Sequence, residues 1–183
     1  PTTLVAVTRV DDGVLGLGGL RLEPRGLDAT AQVGVNAADL PGEGLWDLAV
    51  RLMEKDSSLV IRLEGQEHRV EAQSFTLGRI RHVTLRSKGP GGTLGVEQGW
   101  NRPQLLGLVV EATDRHGVVL DTLGLNGARY RSALAWDEAA WVGELARREP
   151  DLVVLAYGTN ESSDIKLKAE LHAARVKELV GRV

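Results

Sequence analysis

Over the first 111 residues, apolar and polar positions alternate in short segments that are separated by Gly, Pro and Asp clusters. The alternation is clearest at Trp46, Leu48, Val50 and Leu52, where a period of two gives a strand one apolar face. The strand-like segments are LVAVTRV, TAQVGV, LWDLAVRLM, SLVIRLEG, EHRVEAQ, IRHVTLRS and LLGLVVEA. Their regular spacing predicts an antiparallel, jelly-roll-like β-sandwich as a first domain, residues 1–115, with Glu64-Gly65 as a hairpin turn.

The pattern changes after residue 115. Two apolar runs, GVVLDTLG and DLVVLAYG, predict strands buried on both faces, which occur mainly in parallel sheets. Between them, ARYRSALAWDEAAWVGELARREP predicts a helix that ends at Pro150. Leu134, Trp141 and Leu145 would place one face of this helix on the sheet. The order strand, helix, strand predicts a partial parallel α/β unit, residues 116–183.

The last segment, DIKLKAELHAARVKELVGRV, predicts a second helix with Leu167, Leu171 and Ala174 on one face. Ser163 or Asp164 would cap it. Two parallel strands leave sheet edges and apolar faces uncovered, so this unit is predicted to belong to something larger or to pair with another chain. The alternative is that segments of the first half complete the sheet.

Composition removes several functional classes. The net charge of -3 gives no general basic surface, so neither nucleic acid nor an anionic membrane is an expected partner. The absence of cysteine excludes disulfides and thiolate chemistry. The histidines are scattered without metal-ligand spacing, so neither a metal nor another cofactor is predicted: they are His68, His82, His116 and His172. No apolar stretch approaches the roughly 20 residues of a membrane span, and PTTLVAVTRV has no signal-peptide features.

Two blocks, VVLDTLGLNGARY and, one helix later, PDLVVLAYGTNE, carry a family resemblance. They resemble the SGNH, or GDSL-like, serine hydrolases, in particular bacterial cell-wall O-acetylesterases and O-acetyltransferases. That subgroup often contains an inserted β-sandwich similar to a carbohydrate-binding module. The resemblance implies a flavodoxin-like α/β fold, ester hydrolysis on an O-acetylated glycan such as peptidoglycan or on a small ester, and export to the periplasm or cell exterior.

The resemblance also implies site residues. The backbone N–H of Gly127 and the side-chain N–H of Asn160 would hold the oxyanion, where fixed donors stabilise developing charge. Gly124 is the alternative donor to Gly127. Gly158 and Glu161 would contact the substrate, although Glu161 stands where the family more often has Asp.

The family's Gly-Asp-Ser and Asp-x-x-His motifs are not found in the chain. Ser57 follows an aspartate but is predicted to lie in a solvated turn. Ser162 and Ser163 adjoin Asn160 without a base to activate them, so they are predicted to be loop or cap residues. The hypothesis is therefore an esterase whose parent protein supplies the missing hydrolase segments, with this chain alone inactive.

The tryptophans suggest a second function. Trp100 in EQGWNRP is the only one in an evident loop of the β-rich half, and it is the candidate for stacking on a sugar; the others are Trp46, Trp136 and Trp141. The glycine-rich segments LGLGGL and KGPGGTLG lack phosphate-loop endings and are predicted to be turns. The alternative function is a non-catalytic carbohydrate-binding or scaffold protein.

Overall fold

The structure, a computed structural model, describes residues 2–26, 28–36, 42–114, 117–165 and 167–183, so His116 lies outside it. The chain forms two compact units. The first, called the β unit, comprises Pro1–Val7 and Arg21–Leu120. The second, called the helical unit, comprises Thr8–Leu20 and Asp121–Val183.

The strands of the β unit follow one another as neighbours in the order β6-β5-β8-β3-β1-β2-β9-β4-β7. β1 joins the two halves, and it runs parallel to β3 while the other neighbouring strands are antiparallel. The strands are β1 (Thr2–Val7), β2 (Arg21–Pro24), β3 (Ala29–Val35), β4 (Gly44–Arg51), β5 (Ser58–Leu63), β6 (Gln66–Glu71), β7 (Ile80–Ser87), β8 (Gly92–Trp100) and β9 (Gln104–Ala112).

One hydrophobic core lies between the two halves of this strand order. Trp46, Leu48 and Val50 of β4 are fully buried, as the period of two predicted. They pack with inward-facing side chains of the other half, among them Leu59, Ile61, Leu63, Leu94 and Val96. Because both halves contribute to the same core, the unit is a two-layer β-sandwich, and that part of the prediction is confirmed.

The hairpin between β5 and β6 has the predicted two-residue turn. Glu64 and Gly65 both have positive φ, 51° and 77°. Two left-handed residues match the twist of the flanking strands, which is why Gly is favoured at the second position.

Strand β8 was missed by the sequence analysis. KGPGGTLG was assigned to turns, yet β8 begins at Gly92 and lies between β3 and β5. Leu94 and Val96 face the core and retain the period of two, while Gly95 lies on the opposite face. The strand was not predicted because it is rich in glycine, which is unfavourable in strands, and only Leu94 and Val96 show the alternation.

The helical unit contains α1 (Tyr130–Leu134), α2 (Glu138–Arg148) and α3 (Ala169–Val180). The single helix predicted before Pro150 is broken because Asp137 begins a new one: its carboxylate accepts from Ala140 N at 2.8 Å. Tyr130, Ala133, Trp141 and Leu179 form the core of the unit. None of the described helices is long and apolar enough to cross a membrane.

The predicted parallel α/β unit is wrong. The described residues from 117 to 183 contain no β-strand, and neither apolar run pairs with a neighbour. Val118 is 97% exposed and Leu152 79%, so these runs are not buried on both faces. Leu155 and Tyr157 instead pack on the helical core, and Trp141 packs there rather than on a sheet.

The predicted cap of the last helix is also wrong. α3 begins after Lys168, which makes no side-chain capping bond. Ser163 Oγ donates to Asn160 O at 3.0 Å, and Asp164 pairs with Arg129 at 3.3 Å. These partners engage both side chains before the helix begins. Leu171, predicted to share a helical face with Leu167, is exposed, whereas Leu167 packs on the helical core.

We expect the same substitution to have different effects at two tryptophans. Trp46 donates from Nε1 to Ser87 Oγ at 2.8 Å and is fully buried, so Trp46→Phe should lower the free energy of unfolding by about 1–3 kcal/mol. Trp100→Phe, at an exposed position, should change it by less than about 0.5 kcal/mol. Urea denaturation of both variants measures the difference, and equal effects would contradict the assignment of Trp46 to the core.

Candidate functional site

Trp100 is the last residue of β8, not a loop residue as predicted, and its side chain is 57% exposed. In the register it lies opposite Ser58 of β5, while Leu59 lies opposite Gln98. Leu59 faces the core. Because successive residues of a strand point to opposite faces, Ser58 and Trp100 lie on the outer face of the sandwich.

A β-bulge positions Trp100. The register between β5 and β8 shifts at Ser58 because Gly99 is an extra residue in β8. A Cβ atom on Gly99 would overlap the Ser58 hydroxyl, so glycine is the residue that fits this close approach.

A tight turn fixes the chain on the other side of Trp100. Asn101 and Arg102 both have positive φ, 45° and 43°. The Ser57 hydroxyl donates to Asn101 O at 2.5 Å and accepts from Glu54 N at 3.0 Å. Ser57 is therefore buried, which corrects its assignment to a solvated turn, and it joins the β4–β5 connection to the turn after Trp100.

Charged side chains of β5, β6 and β8 lie on the same outer face as Trp100. Arg69 donates to Glu71 at 3.0 Å and to Ser58 Oγ at 3.4 Å. Arg62 bridges two carboxylates, with Glu67 at 3.0 Å and Glu97 as the second partner. The hydrogen bond to Glu67 and the nearby Glu97 carboxylate raise the pKa of Arg62. The Trp100 face is defined as Ser58, Arg62, Glu67, Arg69, Glu71, Glu97 and Trp100.

The predicted oxyanion and substrate residues after position 120 belong to the helical unit, whereas Trp100 belongs to the β unit. Glu161 is buried, with 5% of its surface exposed. One carboxylate oxygen accepts from Tyr130 N at 2.7 Å and the other from Gly158 N at 3.0 Å. The structure thus brings the two sequence blocks together through Glu161, whose oxygens bind the protein backbone.

Asn160 holds the same two blocks together. Its Nδ2 donates to Ala128 O at 2.8 Å. Gly127, the residue before Ala128, has a φ of 73°, a conformation that favours glycine. Ser162 Oγ donates to Thr159 O at 2.7 Å within the turn, in keeping with a loop role. Neither Gly124 nor Gly127 follows a strand in the described residues.

A polar cluster that the sequence did not predict lies on the outer face of the second layer. His82 Nδ1 lies 3.2 Å from one Asp47 carboxylate oxygen, and Thr84 Oγ1 donates to the other at 2.8 Å. Asp47 and Thr84 are directly opposite in the β4–β7 register. The alternation of residues 46–53 placed Asp47 outward, but only the strand pairing shows its partners.

No protein-family model matches the chain, and no curated protein matches it. Among solved structures, the chain is similar to an exo-β-1,3-galactanase from Phanerochaete chrysosporium, with a TM-score of 0.41, 14% identity, 61% of this chain and 27% of that chain covered. It is also similar to TmCBM61 in complex with β-1,4-galactotriose, with a TM-score of 0.40, 13% identity and coverages of 60% and 81%. A third similar structure is the C-terminal CBM6 of LamC from Zobellia galactanivorans, with a TM-score of 0.30 and 9% identity. The match covers 50% of this chain and 71% of that chain.

The predicted membership of the SGNH hydrolases and the predicted ester hydrolase activity are wrong. The similar structures are carbohydrate-binding modules and glycoside hydrolases, and no family model supports the resemblance. The described residues also lack the parallel sheet on which such a site is built. The oxyanion roles of Gly127 and Asn160 depended on that resemblance and are not carried further.

We expect Glu161→Gln to lower the free energy of unfolding by about 1–3 kcal/mol, because the backbone N–H of either Tyr130 or Gly158 would lose its acceptor. Glu170→Gln on the exposed surface of α3 is the control, with an expected change below about 0.5 kcal/mol. Urea denaturation followed by helical circular dichroism makes the comparison. Equal effects would show that the Glu161 bonds do not stabilise the unit.

Tyr157 gives a pH dependence. Burial raises its pKa, and the Glu161 carboxylate raises it further. An unfolded tyrosine ionises near pH 10, so above that pH the unfolded state releases this proton first and stability falls as pH rises through the folded pKa. Between about pH 8 and about pH 11, the wild type should therefore lose more stability than Tyr157→Phe, measured by urea denaturation. An identical loss in the two proteins would contradict the shift.

Proposed function

We propose that this protein binds a carbohydrate through the Trp100 face. The observation that carries the proposal is a 57% exposed tryptophan on the outer face of a β-sandwich, fixed on both sides by backbone geometry. Trp46 of the same unit is fully buried, so exposure is particular to the position rather than to the residue type.

An exposed indole matches the surface of a sugar ring. Its face is apolar and carries negative quadrupole charge, which attracts the positively polarised C–H groups on one side of a pyranose. Stacking removes apolar surface from water on both partners. The sugar's hydroxyl groups point outward around the ring, and the paired arginines and glutamates of the same face can donate and accept hydrogen bonds.

Rigidity supports the same proposal. The bulge at Gly99 and the Ser57 bond to Asn101 hold the backbone on either side of Trp100. A side chain whose backbone is already ordered loses less conformational entropy when a ligand binds.

The finer identity of the glycan is also a proposal. An O-acetylated glycan fits the face if the acetyl methyl group extends the apolar contact with the indole. A glycan partner outside the cell would agree with the predicted export. Paired acetylated and de-acetylated fragments of one glycan test this, and equal affinity would remove the acetyl group from the proposal.

We expect Trp100→Ala to raise the dissociation constant for the bound glycan by about tenfold or more, because a central stacking tryptophan typically contributes over 1.4 kcal/mol. The measurement is calorimetric titration of oligosaccharides identified on a glycan array, with Trp100→Phe expected to retain most of the affinity.

Phe75→Ala is the matched control. Phe75 is another exposed aromatic residue, in the 3₁₀ turn Ser74–Thr76 between β6 and β7. Its removal should leave affinity within about twofold, a free-energy change below about 0.5 kcal/mol. Unchanged binding by Trp100→Ala, or no binding of any glycan by the wild type, would refute the proposed function.

A further inference from the structure

The charges of the Trp100 face bear on which glycans it can bind. Its strands carry two arginines, Arg62 and Arg69, and three glutamates, Glu67, Glu71 and Glu97. Arg102 is exposed in the turn that follows Trp100 and adds a third cation. Among the described residues of the face and this turn, the formal charges therefore cancel.

The two strand arginines are already paired. Arg62 contacts Glu67 and Glu97, and Arg69 contacts Glu71 and Ser58. A carboxylate or sulfate ligand would have to displace one of these glutamates or lie beside them. Repulsion between the anionic ligand and these glutamates would raise the free energy of the complex, and the hydration that the anion loses on binding would raise it further.

Paired charges can still serve uncharged hydroxyl groups. A guanidinium has five N–H donors and a carboxylate has about four acceptor positions, so each ion pair leaves further donors and acceptors available. Hydrogen bonds to charged groups are stronger than those between neutral groups. Ion pairs on the same face as the indole thus provide both kinds of hydrogen bond to an uncharged ligand.

We infer that the Trp100 face selects neutral glycans and discriminates against uronate and sulfated glycans. This inference rests on the proposed function and concerns the ligand class of the same site. The carboxylates Glu67, Glu71 and Glu97 supply the discrimination, while Trp100 supplies the stacking.

The test uses one backbone in two charge states: galacturonan oligomers that are fully methyl-esterified, and the same oligomers as free acids. The neutral ester should bind at least about tenfold more tightly than the acid at low salt. Raising the salt concentration should leave ester binding unchanged and narrow the difference, because salt screens the repulsion of the acid.

A pair of charge variants distinguishes the effect of carboxylates on the Trp100 face from the effect of the net charge of the chain. Glu97→Gln removes one carboxylate from the face and should raise the affinity for the acid several-fold relative to the affinity for the ester. Glu170→Gln changes the net charge equally on α3 and should leave both affinities unchanged. If both variants improve acid binding alike, overall charge is the cause and the inference is wrong.

The remaining outcomes distinguish the two proposals. Tighter binding of the free acid that is lost in both Trp100→Ala and Arg102→Ala would overturn the neutral preference while keeping the Trp100 face as the site. Failure of these galacturonans and of every arrayed glycan to bind would refute the proposed function, and the inference would be refuted with it.

Discussion

Burial of alternate residues on the inner faces of the sandwich is the constraint on which the β unit depends. β4 lies between β7 and β9, and its Trp46, Leu48 and Val50 are withdrawn from water completely. A one-residue slip of this strand would expose all three, so the core fixes the register. The same constraint decides the outer faces, because the residues between core positions must point away from it.

The Trp100 face is a consequence of that arrangement. Leu59 and Leu94 are held in the core, which sends Ser58 and Arg62 outward, and the bulge at Gly99 then places Trp100 beside Ser58. A large aromatic surface is thereby left in water although the unit has an apolar interior. The same face carries paired arginines and glutamates, so it combines an apolar ring with hydrogen-bonding groups, which is the combination that a sugar ring requires.

In the helical unit, polar side chains replace the sheet that the sequence analysis expected. Glu161 accepts from Tyr130 N, 31 residues away, in a buried hydrogen bond, and Asn160 donates to Ala128 O, 32 residues away, in a part-buried one. Such bonds are costly to leave unmade, and this explains why the segment around Gly158 is ordered without strand pairing. The motif that suggested an ester hydrolase thus has a structural use here.

The sequence alone determined the β-sandwich, the β4 alternation and the Glu64-Gly65 turn, because strand faces and tight turns depend on local spacing and local φ preferences. It also indicated Trp100 as a candidate, since a tryptophan next to glycine and turn-forming residues can be recognised from the sequence alone. Only the tertiary structure decided that β8 is a central strand, that Trp100 points outward from it, and that residues 151–157 pair with no neighbour. Those outcomes depend on hydrogen-bonded partners distant in the chain, which an apolar run does not encode.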